Sequence, residues 1–85
     1  MTKQLSVVIV NFNTAQLVLD CVNSIKKSKT KTSYEIIVVD NGSDKPVKPS
    51  KDFKLIINKE NLGFAKANNQ GIKASSGEYI LLLNS

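Results

Sequence analysis

The stretch Glu35-Ile36-Ile37-Val38-Val39-Asp40 constrains this chain more than any other. Four consecutive β-branched residues disfavour a helix. They read as a strand buried on both faces, the kind found inside a parallel sheet. The run stops at a carboxylate, and Asn41-Gly42-Ser43-Asp44 follows as a turn in which Gly42 can take a positive φ. A buried strand that delivers Asp40 into a turn sets the acid at the carboxyl edge of the sheet, where open α/β sheets bind ligands.

The rest of the chain repeats this pattern. Leu5-Ser6-Val7-Val8-Ile9-Val10 reads as a first strand ending in Asn11-Phe12-Asn13-Thr14, where Asn13 or Thr14 can cap a helix over 15–27. Leu17, Cys21 and Ile25, with Val18 and Val22 beside them, form its apolar stripe, and Lys26 and Lys27 suit its last turn. Cys21 reads as a small core residue. The loop with Pro46 and Pro49 is too proline-broken for a helix, and Phe53-Lys54-Leu55-Ile56-Ile57 reads as a third strand. A second helix is expected over 64–74, with Phe64, Ala65, Asn68 and Ile72 inward and Gly77 as a left-handed cap after it. Tyr79-Ile80-Leu81-Leu82-Leu83 is a fourth strand. The order β-α-β-β-α-β describes one small α/β domain. In a parallel sheet its polar strand endings, at Asn11, Asp40-Asn41, Asn58 and Asn84, share one edge.

Composition narrows the chemistry. The 85 residues carry a net charge of +5 from twelve lysines against seven acids, with no arginine and no histidine. The lysines cluster in segments 26–31 and 45–54, which read as solvated loops. The absence of arginine, the usual bidentate reader of guanine and phosphate, argues against a nucleic-acid partner. A single cysteine and no histidine argue against zinc chemistry and rule out a Ser-His-Asp triad. No apolar run approaches a membrane span, and Met1 to Gln4 carries no signal-peptide core. The expected location is the cytoplasm, at the membrane surface if a longer parent carries an attachment.

Neither the dinucleotide fingerprint nor a P-loop follows the first strand. The residues at the edge suit a nucleoside instead. Asp40 can accept hydrogen bonds from a ribose hydroxyl or a base N–H, Phe12 can stack on a base, and Asn11 and Asn13 can orient it.

Four blocks, Ser6 to Asn13, Glu35 to Asp44, Asn61 to Ile72 and Gly77 to Asn84, resemble in order and spacing the opening half of glycosyltransferase family 2. The third block looks most like its rhamnosyltransferase-type members. The resemblance implies the first, Rossmann-like half of a three-layer GT-A fold, a mostly parallel sheet in the order 3-2-1-4. It also implies binding of a nucleotide-diphospho-sugar by residues 1–85 of an inverting transferase. By the same resemblance, Phe12 flanked by Val10 and Asn11 stacks on the base, and Asp40, beside Asn41, contacts base or ribose. Gly63 and Asn68 lie near the sugar-nucleotide, and Asn84 opens the motif whose final acid holds Mg²⁺ or Mn²⁺ on the diphosphate.

This chain departs from the family pattern in three places. Ala67 stands where many members have arginine, with Lys66 beside it but about 100° away around the helix. Asn84 is not an acid. The chain ends at Ser85, one residue before the expected metal-binding aspartate, and lacks the acceptor half. Divalent-cation catalysis is therefore expected of a longer parent, and the isolated chain is expected to bind without transferring. The alternative is a non-catalytic module that holds a nucleotide or a partner. The resemblance also leaves the fourth strand at a sheet edge, too apolar to stay exposed, so self-association through 79–83 is expected.

Overall fold

The computed structural model describes residues 3–28 and 31–84, with the backbone alone for Asn84. Its elements run β1 (Leu5–Asn11), α1 (Ala15–Lys27), β2 (Tyr34–Asn41), β3 (Lys54–Asn58), α2 (Phe64–Ala74) and β4 (Tyr79–Asn84). The strands form one sheet in the order β3-β2-β1-β4, and every ladder is parallel. The expected α/β class and strand order are both present. The register sets Asn11 opposite Asp40, Asn41 opposite Asn58 and Val10 opposite Asn84, so the polar strand endings do meet at one edge.

β1 and β2 are central, which explains their unbroken apolar runs. Val8, Ile9, Ile37, Val38 and Val39 are all fully buried. Each such branched side chain contributes about 1.5–3 kcal/mol by leaving water. Alternation along the strands divides the core in two. Val7, Ile9, Ile36 and Val38 pack with Val18 and Val22 of α1. Val8, Val10, Ile37 and Val39 pack with Ala67 of α2. Cys21 and Ile25 are half-buried against the first cluster, while Leu17 faces outward. The lysine-rich loop is less solvated than its composition suggests, because Val47 and Phe53 fold inward onto the α1 side. Phe53 precedes β3 and bridges back to Ser50, so the third strand begins and ends one residue later than expected.

The inner face of α2 differs from expectation. Ala67, Asn68 and Gly71 are buried, whereas Phe64, Ala65 and Ile72 are exposed. Close approach decides this: a Cβ on Gly71 would lie 2.3 Å from Val8 Cγ1, so the helix meets the sheet through its small residues. Gly77 is not a left-handed cap either. α2 ends at Ala74 with Ser75 after it in extended backbone, and Gly77 is glycine because a Cβ there would meet Ser6 N at 2.6 Å.

The amino edge of the sheet carries a clamp. The Ser6 hydroxyl donates to Glu35 Oε2 at 2.6 Å, the Ser76 N–H donates to the same oxygen at 2.6 Å, and Lys54 Nζ lies 3.1 Å from Oε1. Burial pushes the Glu35 pKa up. The hydrogen bonds from Ser6, Ser76 and Lys54 outweigh it and hold the acid at about 2. This clamp pins the β2, β1 and α2–β4 segments together at the end opposite the polar strand endings. β4 lies at the sheet margin, with Tyr79, Ile80, Leu81 and Leu82 all exposed.

Candidate functional site

The carboxyl edge is built from two hydrogen-bond hubs at the end of β2. Asp40 and Asn41 are adjacent, so their side chains go to opposite faces of the sheet. Both are buried, Asp40 at 0% exposure and Asn41 at 2%.

Asp40 organises the α1 side. Its Oδ2 accepts from Val47 N at 2.7 Å and from Asn11 Nδ2 at 3.1 Å, and its Oδ1 accepts from Ser43 N at 3.0 Å. Burial disfavours the charge. The Val47 and Ser43 backbone donors, with the Ser43 hydroxyl and the Asn11 amide, outweigh it and hold Asp40 below the ordinary carboxylate range. Asn11 is fully buried and links this group to α1: its Oδ1 accepts from Thr14 N at 2.9 Å and from the Thr14 hydroxyl. Asn11 thus fixes the residue that begins α1, and the expected Asn13 or Thr14 side-chain cap does not form. Asn13 takes φ 56, its N–H donates to Ser43 Oγ at 2.8 Å, and its Oδ1 accepts from Asp44 N at 2.9 Å. Phe12 is carried between Asn11 and Asn13 and is 47% exposed. The adjacent Asn13 lines an open recess of about 460 Å³ together with Ala15, Asp44 and Lys45.

Asn41 organises the α2 side. It bonds to Asn58 at the end of β3 and to Asn61, Leu62 and Gly63 in the loop that leads from there into α2. Gly42 takes φ 84 as expected, and a Cβ there would meet Glu60 C at 2.4 Å, so that loop lies directly on the turn after β2. Gly63 starts α2 at φ 88 with open space where a Cβ would be. Asn68 is 6% exposed, and its Oδ1 has no hydrogen-bond partner.

Of the residues singled out in the sequence, the edge brings together Val10, Asn11, Phe12, Asn13, Asp40, Asn41 and Gly63. Lys66 stands apart on the outer side of α2 with Asn69 and Lys73. The backbone of Asn84 ends β4 opposite Val10, and its side chain is outside the described residues. Ser43, Asn58, Asn61 and Gln70 were not singled out as site residues, yet they complete the two hubs. The asparagines and the serine around the strand endings were the available signal for most of them.

Among the described residues, this edge shows no ready-made set of ligands for a divalent cation. Both Asp40 oxygens accept protein donors, and no group of three or more His, Cys, Asp or Glu side chains gathers among the described residues. No helix among the described residues is long and apolar enough to cross a membrane.

Comparison with known proteins gives the family. Residues 6–85 match the model of glycosyl transferase family 2. The chain is 36% identical over 93 residues to glycosyltransferase GlyG of Streptococcus pneumoniae, covering all of this chain and 31% of that protein. It is 30% identical over 92 residues to the putative glycosyltransferase EpsH of Bacillus subtilis, covering 99% of this chain and 26% of that one. The crystal structure of S. aureus TarS 1-349 superposes with a TM-score of 0.76 at 23% identity, over 95% of this chain and 27% of that one, and shares the fold. The chain therefore spans about a third or less of the proteins it matches. On this match it belongs to glycosyl transferase family 2.

Proposed function

We propose that the carboxyl edge holds the nucleoside end of a nucleotide-diphospho-sugar, as the donor-binding part of an inverting glycosyltransferase acting on a glycan, lipid or other acceptor. The observation that carries this reading is Phe12. It is a half-exposed aromatic on a short loop whose neighbours on both sides are tied to buried groups, and the next residue, Asn13, lines an open recess. An exposed aromatic whose flanking residues are fixed in this way can act as a stacking platform for a base. The open space at Gly63 supports passage of the rest of the donor past the start of α2.

Asn11 and Asp40 act in this reading by fixing the platform and Asn41 by fixing the Leu62–Gly63 segment, since their polar atoms are occupied by the protein. Phe12, Asn13 and Gly63 supply contacts. A Mg²⁺ or Mn²⁺ ion, the acceptor site and the catalytic base belong to a longer parent, acting in the cytoplasm or at the membrane surface. The isolated chain binds the donor without transferring its sugar, and it associates with other copies through β4. Sedimentation at high concentration reads the association, and a clean monomer counts against it.

Calorimetric titration with UDP and dTDP tests the central reading. Wild-type chain is expected to bind at least one of them, and Phe12→Ala to weaken that binding by about tenfold. No binding up to millimolar nucleotide, or an unchanged affinity in Phe12→Ala, overturns it.

A further inference from the structure

Asn41 has four hydrogen-bonding valences, and all four are used on the end of β3 and the loop that follows it. Its Nδ2 donates to Asn61 Oδ1 at 2.9 Å and to Gly63 O at 3.3 Å. Its Oδ1 accepts from Asn58 Nδ2 at 3.0 Å and from Leu62 N at 3.1 Å. A primary amide offers two donors and two acceptor lone pairs, so nothing is left for a ligand. Its partners are themselves cross-tied. Asn61 Oδ1 also accepts from Gly63 N at 2.8 Å, and Asn58 and Gln70 exchange two bonds of 2.8 Å that reach into α2. α2 has no side-chain N-cap of its own.

From this saturation we infer that Asn41 is a positioning residue: its amide sets Leu62, Gly63 and the start of α2 at a fixed place relative to the Phe12 platform. The inference rests on the donor-binding reading and deepens it. One residue away, Asp40 holds the platform from the opposite face of the sheet. The end of β2 therefore couples the two loop groups that flank the edge. A ligand that touches both meets a geometry set by two adjacent side chains, neither of which touches the ligand.

Asn41→Asp tests this, because it keeps the acceptor toward Asn58 and Leu62 and sets a carboxylate oxygen against Asn61 Oδ1 and Gly63 O. Amide hydrogen exchange and nucleotide titration are read on the same sample by NMR. Exchange at Leu62 and Gly63 is expected to speed up at least tenfold, while Ser43 and Val47, held by Asp40, keep their protection. Affinity for UDP or dTDP is expected to fall about tenfold in the folded protein. It should recover partly as the pH is lowered and the new carboxyl regains a proton to donate. A purely structural residue would leave the affinity of the folded fraction, and its pH profile, unchanged. Asn61→Ala, at an exposed position, serves if Asn41→Asp does not fold, with the same exchange and affinity changes expected except the pH recovery. Unchanged exchange at Leu62 and Gly63 overturns the positioning role. Faster exchange with unchanged affinity overturns its link to the donor. If wild-type chain binds neither nucleotide, the donor-binding reading fails, and the exchange result alone decides whether Asn41 sets the loop.

Discussion

Asn11 Nδ2 lies 3.1 Å from Asp40 Oδ2, between two residues that are direct partners in the β1–β2 ladder. The contact joins the ends of the two central strands below the loop that carries Phe12. Asp40→Asn replaces the carboxylate with an amide whose NH₂ must face donors from Asn11, Ser43 or Val47. A loss of about 2–4 kcal/mol in unfolding free energy is expected, since a buried donor is left unpaired. Urea denaturation measures it, and a loss below about 0.5 kcal/mol would show that the Asp40 hub is dispensable.

Glu35 makes stability depend on pH. Its folded pKa, about 2, is below its ordinary value of 4.5, so the folded state favours the ionised form. Its contribution is fully present above pH 4.5 and is lost as the pH falls through about 2. Asp40 shifts in the same direction and adds to the acid loss below its ordinary 3.8. Denaturant midpoints should therefore fall steadily between pH 4.5 and 2. Glu35→Gln should lower stability at pH 7 by about 2 kcal/mol and flatten that fall. An unaltered pH dependence in Glu35→Gln would mean that the clamp at the amino edge is not formed.

Gly71 sets the approach of α2 to the sheet. Alanine in its place gains about 1 kcal/mol of helix propensity. It also drives a Cβ to 2.3 Å from Val8 Cγ1, and Val8 is fully buried with no room to move. Overpacking costs about 1–3 kcal/mol, so Gly71→Ala should destabilise on balance. Val8→Ala in the same chain should reduce that penalty, and a double-mutant cycle reads the coupling. Strict additivity would contradict the contact.

Asn68 holds a buried acceptor with nothing to accept from. Such a group costs about 1–3 kcal/mol of desolvation. Asn68→Leu, close to it in size, should therefore leave thermal stability unchanged or raise it by about 1 kcal/mol. The donor-binding reading adds that nucleotide-sugar affinity should fall in the same variant. A clear destabilisation would show that the amide already has a partner in the folded chain.

Much of the fold is legible in the sequence because burial on both faces leaves a compositional mark. The runs at 5–10 and 35–40 have few polar residues since β1 and β2 are central, and the polar residues that end them lie at the edge because the ladders are parallel. The inner face of α2 is not legible in the same way. Hydrophobic character selects Phe64 and Ile72, but the helix packs through Ala67 and Gly71, and small residues leave little periodic signal. The role of Asp40 is only half legible. Its place at the strand end follows from the pattern, but its burial depends on donors from Ser43 and Val47, later in a loop that composition marks as solvated. The Glu35 clamp joins Ser6, Lys54 and Ser76, which are far apart in the chain, and no local pattern links them.

The measurement closest to the central claim is an amide NMR titration of the chain with UDP and dTDP, each with and without Mg²⁺. Shifts are expected to concentrate at Asn11 to Asn13, at Gly42 to Asp44 and at Leu62 to Phe64, with little change when Mg²⁺ is added. Shifts confined to β4 or to the amino edge, or none up to millimolar nucleotide, would contradict it.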